Sequence, residues 1–134
     1  MNLERDGAQL FAQALDPTDL NELLRRLPNS ARPGERIYRN PDLAGLLENG
    51  PIGFIARAML GLAGRPVRAI LFDKTQGTNW SLGWHQDRTI AVRERIDVPG
   101  FHHWNCKAGA THVEPPFSLI ERMLTLRIHM DPVG

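Results

Sequence analysis

Residues 82–91 read Leu-Gly-Trp-His-Gln-Asp-Arg-Thr-Ile-Ala, and both the fold and the chemistry of this chain are best predicted from them. We interpret residues 84–92 as a strand. His85 and Asp87 then project from the same face of it, because successive side chains of a strand alternate between faces. An imidazole and a carboxylate placed together are two of the three ligands of a 2-His-1-carboxylate site for Fe(II), and we expect them in an enclosed hollow. A His-x-Asp spacing alone is more often a solvated strand surface, so the flanking residues have to decide.

The flanking residues resemble the phytanoyl-CoA dioxygenase family. Residues 70–87, Ile-Leu-Phe-Asp-Lys-Thr-Gln-Gly-Thr-Asn-Trp-Ser-Leu-Gly-Trp-His-Gln-Asp, are similar to a strand that ends in a lysine and leads through a short loop to a His-Gln-Asp strand. The similarity continues through 88–92, 112–116 and 123–131, so it covers the second half of the chain better than the first. It implies an Fe(II)- and 2-oxoglutarate-dependent dioxygenase with a double-stranded β-helix, or jelly-roll, core.

The resemblance also implies roles for individual residues. His85 and Asp87 would bind Fe(II), and the positions of Ile70 and Arg127 would lie near the cosubstrate 2-oxoglutarate. The implied reaction hydroxylates a C–H bond of a small-molecule substrate while 2-oxoglutarate is decarboxylated to succinate. Four further side chains are candidates for the border of a pocket or lid: Lys74, Trp104, His112 and His129.

Composition and charge narrow the class of protein. A chain of 134 residues with 42% hydrophobic and 23% charged residues predicts one globular domain with a real core. The formal charge of +1 gives no reason to expect nucleic acid or an anionic membrane as a partner. The single cysteine, Cys106, excludes an internal disulfide and favours a reducing compartment, so we expect a cytoplasmic protein.

The first part of the chain, residues 1–65, is predicted to be helical. Asp16 followed by Pro17 is typical of a helix start, and Asn40–Pro41 repeats the pattern. Gly50–Pro51 begins a third helix. Leucines at helical spacing indicate packing into a core. The polar residues 29–39 are predicted to form a surface loop.

The second part, residues 66–134, is predicted to begin a jelly roll on which the helices pack, which gives an α+β fold. Residues 67–74 and 121–130 are predicted strands. In the latter, Leu124, Leu126, Ile128 and Met130 alternate with Met123, Thr125, Arg127 and His129. Between the strands, residues 94–118 are predicted to form an irregular loop, which we interpret as a flap over the substrate.

This jelly roll is expected to be incomplete. Without the irregular loop, residues 67–134 are too few for eight strands of roughly 5–6 residues with their turns. In the family, the distal metal-binding histidine and the arginine that binds 2-oxoglutarate follow the segment that ends here at 134. The sequence thus predicts a truncated dioxygenase, or alternatively a non-catalytic remnant or binding module with an incomplete metal site. A zinc hydrolase using His85 and Asp87 is a weaker alternative, since the chain lacks a tight ligand cluster such as His-Glu-x-x-His.

Overall fold

A computed structural model describes residues 2–29, 34–37, 39–74, 77, 81, 83 and 85–131 of the chain. Within these residues the fold is mixed, with five helices and two small antiparallel sheets, neither of which closes into a barrel. In chain order the elements are α1 (Leu3–Asp6), α2 (Pro17–Arg26), β1 (Glu35–Ile37), α3 (Pro41–Asn49), α4 (Pro51–Leu60), β2 (Ala69–Leu71), β3 (Ile90–Val92), β4 (His102–Lys107), β5 (Ala110–Glu114) and α5 (Phe117–Ile120).

The three predicted helix starts are confirmed. The Asp16 side chain accepts a hydrogen bond from the backbone N–H of Asp19, whose own side chain accepts from the backbone of Asp16, so the two form a capping box. The Asn40 side chain caps α3 by accepting a hydrogen bond from the backbone N–H of Leu43, and a proline occupies the beginning of α2, α3 and α4. Proline is suited to this position because the first N–H of a helix has no partner within the helix.

Helices α2, α3 and α4 pack on one another in sequence. Leu23 of α2 and Leu43 of α3 are buried, with 5% and 3% of their surface exposed, which confirms the predicted leucine core. Gly53 lets α4 turn closely against the end of α3. A Cβ at position 53 would lie 1.9 Å from the carbonyl oxygen of Glu48, far inside contact distance. A residue without a side chain is therefore required at this corner.

The segment predicted as a surface loop, residues 29–39, contains strand β1. It pairs antiparallel with β2, with Arg36 opposite Ile70 and Ile37 opposite Ala69. The predicted strand at 67–74 is thus confirmed only over Ala69–Leu71. The sequence did not reveal β1 because a three-residue strand of mixed polarity carries almost no periodicity.

The segment predicted as irregular, residues 94–118, instead contains β4, β5 and α5. Strand β5 is central in a sheet of order β3-β5-β4, and Val113 on it is completely buried. The turn between β4 and β5 consists of Ala108 and Gly109, both with positive φ, as a two-residue hairpin requires. The prediction of an irregular loop is corrected accordingly for the greater part of this segment.

Among the described residues, one predicted strand is shorter than expected and the predicted strand at 121–130 is not formed. Of the predicted strand at 84–92, only Ile90–Val92 is paired, and Trp84 lies outside the described residues. Residues 123–130 have no strand partner in the part of the chain that the structure describes. Their side chains nevertheless alternate as predicted: the even-numbered residues are half-buried and the odd-numbered ones exposed.

The principal contacts between elements run from α2 to α3 to α4, between β1 and β2, and within the three-stranded sheet. The structure therefore confirms a mixed α and β fold, while the expected packing of helices on a jelly roll is not seen among the described elements. No helix among the residues described is both long enough and apolar enough to cross a bilayer.

Candidate functional site

His85 lies in the extended segment just before β3 and is exposed. Its Nδ1 is 2.9 Å from the carbonyl oxygen of Gly83. A carbonyl oxygen only accepts hydrogen bonds, so Nδ1 carries the proton and donates it. In the neutral ring, Nε2 then keeps a free lone pair. This is the arrangement of metal-binding histidines, in which one nitrogen is fixed by a hydrogen bond and the other binds the ion.

Asp87, two residues further on, is bound by Arg68. The distance from Nη2 of Arg68 to Oδ2 of Asp87 is 2.5 Å, and the two side chains are 20% and 51% exposed. Arg68 directly precedes β2, so this ion pair attaches the segment before β3 to the segment before β2. A carboxylate held by a guanidinium has one oxygen engaged, and a metal ion would compete with Arg68 for it.

The predicted metal pair is therefore present as two donors of the right type, yet it is exposed to solvent and not enclosed in a hollow. Two donors are too few for a facial triad, which needs three protein ligands. The described part of the chain contains no cluster of three or more His, Cys, Asp or Glu side chains able to hold a metal ion. These residues by themselves do not fit an Fe(II) centre.

The two residues that the resemblance places near 2-oxoglutarate lie in different elements. Ile70 is in the middle of β2, half-buried and paired with Arg36 of β1. Arg127 is exposed, on the polar side of the alternating segment 123–130.

The four candidates for a pocket or lid also lie in different segments of the chain. Lys74 and His129 are exposed, in the segments that follow β2 and α5. Trp104 lies in β4, half-buried, with the guanidinium carbon of Arg95 5.5 Å from the centroid of its ring, a cation–π contact. His112 lies on the central strand β5.

His112 is the one predicted site residue that is fully buried, with 0% of its surface exposed. Its Nδ1 donates to the carbonyl oxygen of Ala110 at 2.9 Å, and its Nε2 is buried without a hydrogen-bond partner among the residues described. Lys107 of β4 donates to the hydroxyl of Thr89, just before β3, at 3.2 Å. Strand β5 lies between β3 and β4, so this hydrogen bond passes over the face of β5 on which His112 lies.

A second cluster of charged side chains, in addition to the ion pair of Arg68 and Asp87, lies at the end of the hairpin. Glu114, only 18% exposed, accepts hydrogen bonds from both Arg88 and His103. His103 has a φ of 53° at a bulge in β4, and this irregularity directs its ring to the carboxylate of β5. The three side chains connect β4, β5 and the segment before β3.

A cavity of about 440 Å³, which we name the arginine cavity, has none of the predicted site residues among its lining residues. It is lined by Pro28, Glu35, Arg36, Ile37, Arg39, Asn40 and Pro41. The cavity is thus built from the end of α2, strand β1 and the beginning of α3. Sequence reasoning missed it because its residues belong to the predicted loop at 29–39 and only the pairing of β1 with β2 brings them into order.

Comparison of the chain with known proteins finds no matching family model, no similar curated protein and no similar solved structure.

Proposed function

We propose that this chain carries two of the three metal ligands of an Fe(II)- and 2-oxoglutarate-dependent dioxygenase of the phytanoyl-CoA dioxygenase type. The resemblance of residues 70–92 to that family supports the proposal, and the orientation of the His85 ring is the structural observation that carries it. Nδ1 is fixed on the carbonyl oxygen of Gly83 at 2.9 Å. In the neutral ring, Nε2 is therefore left with a lone pair that can bind a metal ion. Asp87 supplies the carboxylate from the same segment.

We further propose that the two small sheets are parts of a jelly roll, and that polypeptide other than the described residues completes it. Residues 123–130 alternate in burial as a sheet strand does, without a strand partner in the described part of the chain. Several large apolar side chains are widely exposed, with Phe54 at 72%, Leu62 at 84% and Phe117 at 63%. Surfaces of this kind are typical of faces that are covered by other polypeptide. The third ligand would come from the same additional polypeptide.

When loaded with iron, such a site supplies hydroxylation of a C–H bond, coupled to the conversion of 2-oxoglutarate to succinate and CO2. The residues of this chain would position the ion and the cosubstrate. In the proposal, His85 and Asp87 hold the ion, while Ile70 and Arg127 lie beside 2-oxoglutarate. A guanidinium suits the carboxylate of that cosubstrate because it can donate two parallel hydrogen bonds. The exposed thiol of Cys106 fits a cytoplasmic location.

Metal binding tests the proposed ligands directly. Fe(II) is titrated into the chain without oxygen, and Mn(II) is followed by electron paramagnetic resonance as a second probe. We expect His85→Ala and Asp87→Ala each to weaken binding by about tenfold or more, since even partners of metal ligands contribute 10- to 100-fold. His102→Ala and Asp97→Ala are matched controls, because both residues are exposed and lie outside the proposed site. Unchanged binding in either ligand variant would exclude that residue as a ligand.

Replacing Arg68 should change the affinity for Fe(II) in the opposite direction to the two ligand variants. Arg68→Gln removes the guanidinium that holds Asp87 at 2.5 Å and leaves both carboxylate oxygens available. We expect Fe(II) to bind more tightly to this variant than to the parent chain. Weaker binding would mean that Arg68 supports the ligand geometry more than it competes with the ion.

A non-catalytic binding module of the same lineage is the second candidate, and the contact between Arg68 and Asp87 favours it. A carboxylate that is permanently occupied by a guanidinium is a structural group and not a metal ligand. Formation of succinate from 2-oxoglutarate that depends on added Fe(II) separates the two functions. Turnover that is lost in His85→Ala and kept in His102→Ala supports the enzyme. Metal binding without any turnover, in this chain and in one extended at its C-terminus, supports the module.

A further inference from the structure

The arginine cavity contains two guanidinium groups and one carboxylate. Arg36 lies in the middle of β1, and Arg39 follows that strand directly before the cap of α3. Among the residues that the structure describes, Glu35 is the only acidic one that lines the cavity. The lining residues carry two positive formal charges, on Arg36 and Arg39, and one negative formal charge, on Glu35. The cavity therefore has an excess of positive charge.

One donor group of Arg36 lacks a hydrogen-bond acceptor in the described part of the chain. The Nε atom of Arg36 is buried and has no hydrogen-bond partner among the residues that the structure describes. A guanidinium is always charged and donates five hydrogens in a fixed plane, so burying one of its donors without an acceptor is unfavourable. An acceptor supplied by a ligand would satisfy the Nε–H group. Carboxylates and phosphates are the acceptors that match guanidinium geometry best.

A further feature of the surroundings favours an anion. Helix α3 has nine residues and begins at Pro41, so the positive end of its dipole faces the cavity. Asn40 caps the helix and Pro41 has no N–H, so the helix contributes its field more than its donors. Arg39 has a φ of 55°, a left-handed conformation that fixes the direction of the chain between β1 and the cap of α3.

The volume is suited to a small molecule. At about 440 Å³ the cavity lies within the range of roughly 300–1,000 Å³ that is usual for small-molecule sites. Its apolar lining, from Pro28, Ile37 and Pro41, can contact the carbon skeleton of a ligand. We infer that the arginine cavity binds a small molecule through a carboxylate or phosphate group, with Arg36 and Arg39 as the anion-binding residues. None of these residues is a proposed metal ligand, so the inference is independent of the iron chemistry.

The Nε–H signals of the arginines provide the test. The ¹⁵N-labelled chain is titrated with succinate and, separately, with inorganic phosphate at constant ionic strength. We expect the Arg36 Nε–H signal to shift and to saturate with at least one of the two anions. The anion that saturates at the lower concentration identifies the ligand class. If neither anion shifts this signal in a saturable way, the inference is wrong.

Variants then separate a site from general attraction of anions to a basic surface. Arg36→Gln and Arg39→Gln should each weaken binding by about tenfold or more, because each removes charged hydrogen bonds to the ligand. Glu35→Gln should strengthen it. The control is Arg93→Gln, which makes the same change in charge at an exposed arginine after β3. Equal weakening in Arg93→Gln and Arg36→Gln would overturn the inference.

A last variant keeps the charge of the cavity and so guards against loss of folding. Arg36→Lys retains a cation while removing the planar Nε–H group. We expect the chain to stay folded, as judged by circular dichroism, and binding to weaken less than in Arg36→Gln. Parent-like affinity in Arg36→Lys would contradict a direct role of the Nε–H group.

Discussion

Replacing Asn40 with alanine removes two hydrogen bonds at the corner between α2 and α3. Its Oδ1 accepts from the backbone N–H of Leu43 at 3.0 Å, and its Nδ2 donates to the carbonyl oxygen of Arg26, also at 3.0 Å. The first bond satisfies one of the free N–H groups at the start of α3. The second attaches the end of α2 to the start of α3. One side chain thus fixes both the cap and the angle between the helices.

The expected loss of stability follows from adding the two contributions. Removing an asparagine cap costs about 1 kcal/mol, and removing a partly buried neutral hydrogen bond costs about 1 kcal/mol more. Asn40→Ala should therefore lower the free energy of unfolding by about 2 kcal/mol. Small domains are stable by only about 5–15 kcal/mol, so the effect should be easy to measure.

Urea denaturation followed by circular dichroism measures the loss, and a second variant separates its parts. Asn40→Ser keeps a capping oxygen but has no amide donor, so it should lose about half as much. Asn49→Ala is the control, because it removes an exposed bond to the carbonyl oxygen of Gly45 at the other end of α3. It should change stability by less than about 0.5 kcal/mol. The reasoning is refuted if Asn40→Ala costs no more than Asn49→Ala.

Two further predictions concern the hairpin and α1. Gly100→Ala should destabilise the chain more than Gly109→Ala, although φ is positive at both, at 86° and 79°. A Cβ at position 100 would lie 3.0 Å from Cγ of Pro116, whereas a Cβ at position 109 would have no atom within 4 Å. The difference in thermal midpoint between the two alanine variants therefore measures the effect of the contact with Pro116. The pKa of the Asp6 carboxyl lies below its ordinary value because the Arg5 side chain hydrogen-bonds to it. This contact stabilises α1 above the unfolded pKa and is lost as the pH falls through the folded one. Arg5→Gln should raise the midpoint of an NMR titration of Asp6, and an unchanged midpoint would disprove the cause.

The helices could be predicted because their start signals are local. A cap acts on an N–H group two or three residues away, as in the contact of Asp16 with Asp19 and of Asn40 with Leu43. Proline at the next position strengthens the signal without any distant partner.

The hairpin of β4 and β5 was missed because its signals are atypical. Its turn is Ala108–Gly109, where Asn-Gly or Asp-Gly is the usual choice, since alanine rarely adopts the φ of 49° seen at 108. A bulge between His102 and Asn105 also interrupts the alternation of β4. Without a recognisable turn or a regular period, the sequence resembles a loop.

The candidate site was predicted only as far as one segment reaches. The spacing of His85 and Asp87 is local, whereas the partner of Asp87 is Arg68, nineteen residues earlier in the chain. The arginine cavity depends likewise on the pairing of β1 with β2, across more than thirty residues. Such contacts follow from the packing of the whole chain, and no local pattern indicates them.

The contact between Arg68 and Asp87 is where the two proposed functions diverge. If the chain holds iron, a metal ion must replace the Arg68 guanidinium as the partner of Asp87. The Arg68 side chain, which is only 20% exposed, must then find another partner or turn toward water. Burying a charge without a partner is costly, so the metal has to compensate for the loss of the ion pair. Three protein ligands can do so far better than two. We therefore expect weak metal binding by the two donors alone. If Asp87 is a metal ligand, Arg68→Gln changes the affinity for the metal, whereas a purely structural ion pair leaves that affinity unchanged.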